Sequence, residues 1–323
     1  MKVHILDDWF DTLRGLPSFQ RLNGHEVTVW TDHESDIDRL AERHAEAEAL
    51  VLFRERMPIT AELLAKLPKL RLIAQRSSYP HVDVAACTRH GVILCSDMAE
   101  GKPSVAAAEL TLALMLATAR DLPRQMESLK SGHWQAGVGL SLAGRRLGLT
   151  GCGRIGQLVA KYARALDMRV WWWGSEQGRA RAEADGEAVA PSREAFFAQS
   201  DVVSVHVRLN AQTRGMITAQ DLSAMPEHGI FVNTSRAGLV APGALEAALQ
   251  GSRPGRIAID VFDREPFHDT GSVLLTDPRV IATPHIGFVT EDELEHQFAD
   301  IYAQVNAFDA GAPINVIDPE AMS

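Results

Sequence analysis

Cysteine is scarce in this 323-residue chain: Cys87, Cys95 and Cys152 are an odd set with no C-x-x-C spacing. That pattern fits free thiols in a reducing compartment better than a disulfide framework, so a cytoplasmic protein is expected. Basic residues are in deficit, 32 Lys and Arg against 42 scattered Asp and Glu, for a formal net charge of −10. The balance argues against nucleic acid or an anionic membrane as the main partner, though an anionic ligand needs only a local positive site. Long apolar runs are missing too. The longest apolar helix candidate, 110–119, falls far short of the ~20 residues that cross a bilayer. At the N-terminus Asp7 ends the first apolar run, so no secretory segment is expected there.

The chain does hold enough apolar residues, 46%, for sizeable cores, and its length suits two domains of about 100–200 residues. Short β-rich runs at 2–6, 26–31, 49–53, 71–75 and 92–95 alternate with helical patterns at 36–47 and 60–67. A long helix is expected over 103–120, with Pro123 beyond its end. A second alternating block follows, with strands at 146–150, 168–173, 202–206, 230–233, 256–260 and 280–282. Its crossover helices are expected near 155–166, 193–198 and 242–249, and a last helix over 291–308. Strands separated by helix-length crossovers predict α/β architecture: two doubly wound parallel-sheet domains. The break falls near residue 100, and the last helix can return to the first block. The expected division is therefore 1–100 plus 292–323 and 101–291.

Arg146-Leu147-Gly148-Leu149-Thr150-Gly151-Cys152-Gly153-Arg154-Ile155-Gly156 reads as strand, tight turn and helix start. Gly151 permits the turn, Gly153 lets a pyrophosphate approach the backbone, and Gly156 lets helix and strand pack closely. The helix N-terminus, with Arg154 and Ile155, then faces the phosphates. The G-x-G-x-x-G spacing is weak alone; its strand–helix context makes a dinucleotide site the expectation. An acid is expected about twenty residues on, on the ribose 2′-OH. Glu176 is the candidate, two residues past the strand end; Ser175 and Arg179 are the alternative, as receivers of a 2′-phosphate. The reading leans to NAD and leaves NADP open. Trp171-Trp172-Trp173 is read as core packing or an edge of the adenine pocket, because strand side chains alternate between faces.

Three later strands each end by presenting a functional group. Phe231–Gly238 delivers Arg236, Ala258–Pro266 delivers Asp260 and Glu265, and Ile281–Gly287 delivers His285. In a doubly wound sheet these ends converge where ligands collect. Together with the glycine loop and Ser200-Asp201-Val202-Val203-Ser204-Val205-His206, these stretches resemble, in order and spacing, the D-isomer-specific 2-hydroxyacid dehydrogenases. The resemblance extends over nearly the whole chain and implies a Rossmann cofactor domain beside a flavodoxin-like substrate domain, with the active site in the cleft between them. It implies hydride transfer between a nicotinamide cofactor and a small 2-keto or 2-hydroxy acid. Arg236 would clamp the substrate carboxylate or polarise the carbonyl, His285 would exchange the proton, and Glu265 would orient His285. Asp260 would reach the nicotinamide carboxamide, and His206, Thr213 and Thr234 join the expected cofactor contacts.

The family's substrate loop carries glycines where this chain reads Arg76-Ser77-Ser78-Tyr79-Pro80, so Ser77 and Ser78 become the expected substrate contacts. Phe288 is expected to narrow the active-site mouth, and hinges are expected at 101–104 and 288–291. A homodimer is implied, with 132–144 as a dimer arm, and a further regulatory domain is not expected. No metal site is expected; Asp7, Asp8 and Asp11 read as an acidic strand end. Cys152 is an accessible thiol without an assigned redox role. A nicotinamide-sensing binding protein on the same scaffold is the rival reading, and the Arg236, Glu265 and His285 set weighs against it.

Overall fold

A computed structural model describes residues 1–98 and 105–318, which form two compact units. The hinge expected at 101–104 and the break near residue 100 lie outside the described residues. One unit holds 1–102 and 290–323, the other 103–289.

The first unit is built on a five-stranded parallel sheet in the order β2-β1-β3-β4-β5. The strands are β1 (Lys2–Ile5), β2 (Glu26–Val29), β3 (Ala49–Val51), β4 (Leu72–Arg76) and β5 (Ile93–Asp97). This is the flavodoxin-like order, in which the direction of strand addition reverses between β1 and β3. Three helices complete its first part: α1 (Ile37–His44), α2 (Ala61–Ala65) and α3 (Val84–Arg89). The last has no clear signature in the sequence, because a six-residue helix offers less than two turns of periodicity. β3 is buried along its whole length, as expected for a parallel strand covered on both faces. The C-terminal helix, Glu291–Asp309, packs on β4 and β5. Leu294, Phe298, Ile301, Tyr302 and Val305 form its buried stripe at helical spacing, and Thr290 caps its start by accepting from the Glu293 N–H. Beyond it the chain crosses the edge of β5: Ser96 N donates to Asn315 O and Ile317 N to Leu94 O.

The second unit opens with α4 (Val105–Arg120) and α5 (Leu122–Lys130). Pro123, read as a residue beyond the long helix, lies in the first turn of α5, where its missing N–H costs nothing. Six parallel strands follow: β6 (Arg146–Thr150), β7 (Arg169–Trp173), β8 (Val202–Val205), β9 (Ile230–Asn233), β10 (Arg256–Ile259) and β11 (Val280–Ala282). Their order is β11-β10-β9-β8-β6-β7, and Val189 adds a single parallel bridge to Trp172 at the outer edge. Counting that stub as a strand gives the Rossmann arrangement, with its switch point between β6 and β8. The crossovers include α6 (Arg154–Ala165), α7 (Glu176–Ala184), α8 (Arg193–Gln199), α9 (Ala219–Ala224), α10 (Ala244–Gln250) and α11 (Val273–Thr276); the C-terminal helix of the first unit is α12.

Candidate active site

At the switch point β6 runs out into the glycine loop. Gly151 sits at φ +88°, and a Cβ there would lie 2.4 Å from the carbonyl oxygen of His206 and 2.6 Å from Val207 Cγ1. Gly156 is equally constrained, since its Cβ would meet Gly151 O at 2.4 Å. Gly153 differs: it caps α6, and a Cβ there would meet nothing within 4 Å. The loop thus leaves open backbone at a helix N-terminus, a cradle suited to a pyrophosphate. Ile155 turns into the core of the unit. Cys152 Sγ lies 2.8 Å from Gln157 Nε2, and burial raises the thiol's pKa.

The ribose edge departs from the expected loop, because Ser175 is the N-cap of α7, accepting from Gly178 N at 3.2 Å. Glu176 is therefore the first residue of a helix. Its polar, arginine-rich sequence carries no apolar stripe, which is why no helix was read there. The three tryptophans split as strand alternation requires. Trp171 and Trp172 use opposite faces, donating to Ser200 Oγ and Glu187 Oε2, while Trp173 lies under the Arg179 guanidinium at 4.4 Å.

β9, β10 and β11 are neighbours, so the segments that follow them leave one end of the sheet side by side. Arg236 follows β9, with Nη1 donating to Ser235 O. Glu265 Oε1 accepts from Phe262 N at 2.9 Å, and its Oε2 lies 2.6 Å from His285 Nδ1. The Glu265–Pro266 peptide bond is cis, and His285 has φ +53°. Phe288 is buried with its ring edge-on to His285 at 5.5 Å.

Asp260 does something the sequence did not suggest. It is fully buried, and its carboxylate accepts from Thr283 Oγ1 (2.6 Å), Ile286 N (2.8 Å) and Gly287 N (2.9 Å). Both oxygens thus hold the loop that carries His285. Burial raises its pKa, opposed by these hydrogen bonds. Thr283, Ile286 and Gly287 were missed as partners; a threonine two residues ahead of the histidine was the available signal.

The remaining expected contacts also make local hydrogen bonds. Thr234 Oγ1 pairs with Thr111 Oγ1 of α4 at 2.7 Å, and Thr213 Oγ1 donates to Arg208 O at 2.7 Å, closing a turn. His206 faces Ser204 Oγ at 2.9 Å, and burial pushes its pKa down to about 4, which keeps the ring neutral.

In the first unit, Ser77 follows β4 at φ +77°. Its N–H donates to Asp97 O, so that group is not offered to a ligand. Its carbonyl accepts from Gln75 Nε2 and Ser96 Oγ, while Ser78 Oγ lies 3.4 Å from Glu55 Oε1. The acidic trio separates: Asp7 pairs with His33, Asp8 accepts from Thr12 N and Leu13 N, and Asp11 pairs with Arg14. No group of three or more ligating side chains occurs among the described residues.

The family model described as "D-isomer specific 2-hydroxyacid dehydrogenase, NAD binding domain" matches residues 112–287. The chain is 30% identical over 312 residues to a glyoxylate reductase of Thermococcus litoralis, covering 93% of this chain and 92% of that one. It is 35% identical over 258 residues to a D-3-phosphoglycerate dehydrogenase of Methanocaldococcus jannaschii, covering 79% of this chain and 48% of that protein. It thus spans about half the length of such relatives. The crystal structure of a phosphoglycerate oxidoreductase from Vibrio cholerae superposes with a TM-score of 0.91 at 44% identity, over 97% of this chain and 100% of the other.

Proposed function

The chain belongs to the D-isomer specific 2-hydroxyacid dehydrogenase family and carries its NAD-binding domain, and from that premise we propose that it interconverts a small 2-keto acid and its D-2-hydroxy acid. The observation that carries the proposal is the Glu265–His285 hydrogen bond at the strand ends of the unit that holds the glycine loop.

A carboxylate only accepts, so Glu265 calls for an Nδ1–H on His285 and leaves Nε2 as the nitrogen that exchanges a proton. In the reducing direction His285 gives that proton to the carbonyl oxygen; in the oxidising direction it takes the hydroxyl proton. Bound NAD supplies or accepts the hydride at C2. Glu265 holds the His285 ring in place through this hydrogen bond, keeping Nε2 turned away from the carboxylate. Arg236 is assigned to the substrate carboxylate, where a planar, permanently charged fork pairs with both oxygens. Asp260 fixes the path of the 283–287 loop and so the position of the His285 ring. Ser77 and Ser78 remain the proposed substrate contacts of the first unit, Ser78 through its hydroxyl.

We place the protein in the cytoplasm as a homodimer. Among the described residues no helix is long and apolar enough to cross a membrane. Cys87, Cys95 and Cys152 are free, which suits a reducing compartment. Met126, Leu129, Trp134 and Val138 on α5 and the following arm are exposed, an apolar surface that suits a second copy.

The test is oxidation of the reduced cofactor with glyoxylate, hydroxypyruvate, pyruvate, phenylpyruvate and phosphohydroxypyruvate as acceptors. His285→Ala is expected to lower kcat by about 10²–10⁴ at unchanged cofactor affinity. Glu265→Gln is expected to lower kcat less and to move the pH profile. Turnover that survives in His285→Ala overturns the assignment.

A further inference from the structure

We infer that Gln75 is a positioning residue for the substrate loop: from inside the first unit it holds the carbonyls of Ser77 and Ser78, and so turns the N–H groups of Ser78 and Tyr79 toward the carboxylate of the 2-keto acid. The inference rests on the proposed function, and three observations in the first unit carry it.

The first is what surrounds the Gln75 amide. Gln75 on β4 lies opposite Ser96 on β5, and both side chains are buried. Its Nε2 lies 2.9 Å from Ser96 Oγ, 3.0 Å from Ser77 O and 3.4 Å from Ser78 O. Ser96 Oγ gives its own proton to Ser77 O at 2.7 Å, so all three neighbours accept and only a donor fits among them. That decides which end of the amide faces the loop. The backbone of Gln75 is fixed in turn from α12, where Gln304 Nε2 donates to Gln75 O at 3.1 Å.

The second is what the loop keeps unpaired. Ser77, at φ +77°, turns the chain after β4, and its N–H is taken by Asp97 O. The N–H groups of Ser78 and Tyr79 have no partner among the described residues. In a trans peptide the carbonyl and the N–H that follows it point in opposite directions. An amide that draws the Ser77 and Ser78 carbonyls onto itself therefore turns the Ser78 and Tyr79 N–H groups away from itself. Successive N–H groups at such a turn form a concavity that suits an anion.

The third is the other end of the same amide. Gln75 Oε1 is buried with no partner among the described residues. An orphaned acceptor destabilises a core, and a methionine of similar volume would leave none. Packing alone would favour the apolar residue, so the glutamine is explained by what its Nε2 holds.

The experiment is steady-state reduction, at saturating NADH, of the acid in the panel above that the unaltered chain reduces fastest, beside NADH titration and thermal melts. In Gln75→Met the KM for the acid is expected to rise about 10–100-fold, with kcat and NADH affinity within about threefold. Its Tm is expected to hold or rise. Ser96→Ala removes the bridge between the amide and Ser77 O, and is expected to raise KM about 3–10-fold. The two changes together are expected to raise KM by less than the product of their separate effects. An unchanged KM in Gln75→Met overturns the inference, whether Tm falls or kcat falls, because either loss alone marks a packing role. Effects that multiply in the double variant also overturn it. Where Gln75→Met does not fold, an unchanged KM in Ser96→Ala overturns it instead. No reduction of any acid by the unaltered chain removes the proposed function, and this inference with it.

Discussion

Two turns that leave strand ends at φ near +80° are built from different residues. After β6 the residue is Gly151, at φ +88°; after β4 it is Ser77, at φ +77°. Conformation alone does not separate them, since both lie where an L side chain costs about 1 kcal/mol or more. Space does. A Cβ on Gly151 would drive into the backbone of the neighbouring β8 exit, whereas the Ser77 turn carries its side chain and is tied down by Gln75, Ser96 and Asp97. A positive φ is therefore a tolerable expense when hydrogen bonds over-determine it, and a close approach of two backbones is not.

The strongest test of that distinction is Gly151→Ala. It combines a backbone clash with the wrong conformation, so a loss of about 3–5 kcal/mol and collapse of cofactor binding are expected in thermal melts and titration. Gly153→Ala, two residues on, serves as its opposite: the melting temperature should hold while cofactor affinity falls, because the added methyl enters only open space. Equal melting losses in the two variants would break the comparison.

Acid should act next, through a buried histidine pair. The first unit buries His4 against His44, their Nδ1 atoms 2.9 Å apart, and burial pushes the His44 pKa down to about 3. A folded value below the unfolded value of about 6.5 means stability is complete above pH 6.5 and drains as pH falls toward 3. At pH 4.5 the loss is about 2–3 kcal/mol. Unfolding midpoints across pH 7 to 4 should fall in the native chain and fall less steeply in His44→Leu, where the buried His206 of the second unit still titrates; an unchanged slope would remove His44 from the account.

Ser77→Gly is the smallest change. Relief of the left-handed conformation and the added freedom of the unfolded chain nearly cancel, leaving a shift within about 1 kcal/mol. A larger loss in a denaturant titration would mean that the serine side chain itself holds the turn.

The sequence disclosed most about what repeats and least about what folds back. Alternating apolar runs announced both sheets, because parallel strands buried on two faces read as short continuous blocks. The glycine loop and the segments ending in Arg236, Glu265 and His285 stood out because each follows such a run. α7 was hidden, since its only clear marker is the Ser175 cap and its face is polar. Asp260 was seen as a strand-end acid, but its target was not legible: whether a carboxylate faces a ligand or its own chain depends on the return of residues 283–287, some 25 positions later. The turn made by Thr213 and the contact between Thr111 and Thr234 are of the same kind.

One feature of the first unit bears on how the polypeptide is made. α12 covers β4 and β5, and the segment around Asn315–Ile317 closes the β5 edge, yet both emerge only after the whole second unit has been synthesised. On the ribosome the second unit can fold as a continuous stretch while the first waits with two strands uncovered and the seats of Phe298 and Tyr302 vacant. The late helix acts as a latch. A released chain ending at residue 290 should show a protease-resistant second unit and a first unit that is still cut, and resistance of the first should return when residues 291–323 are restored.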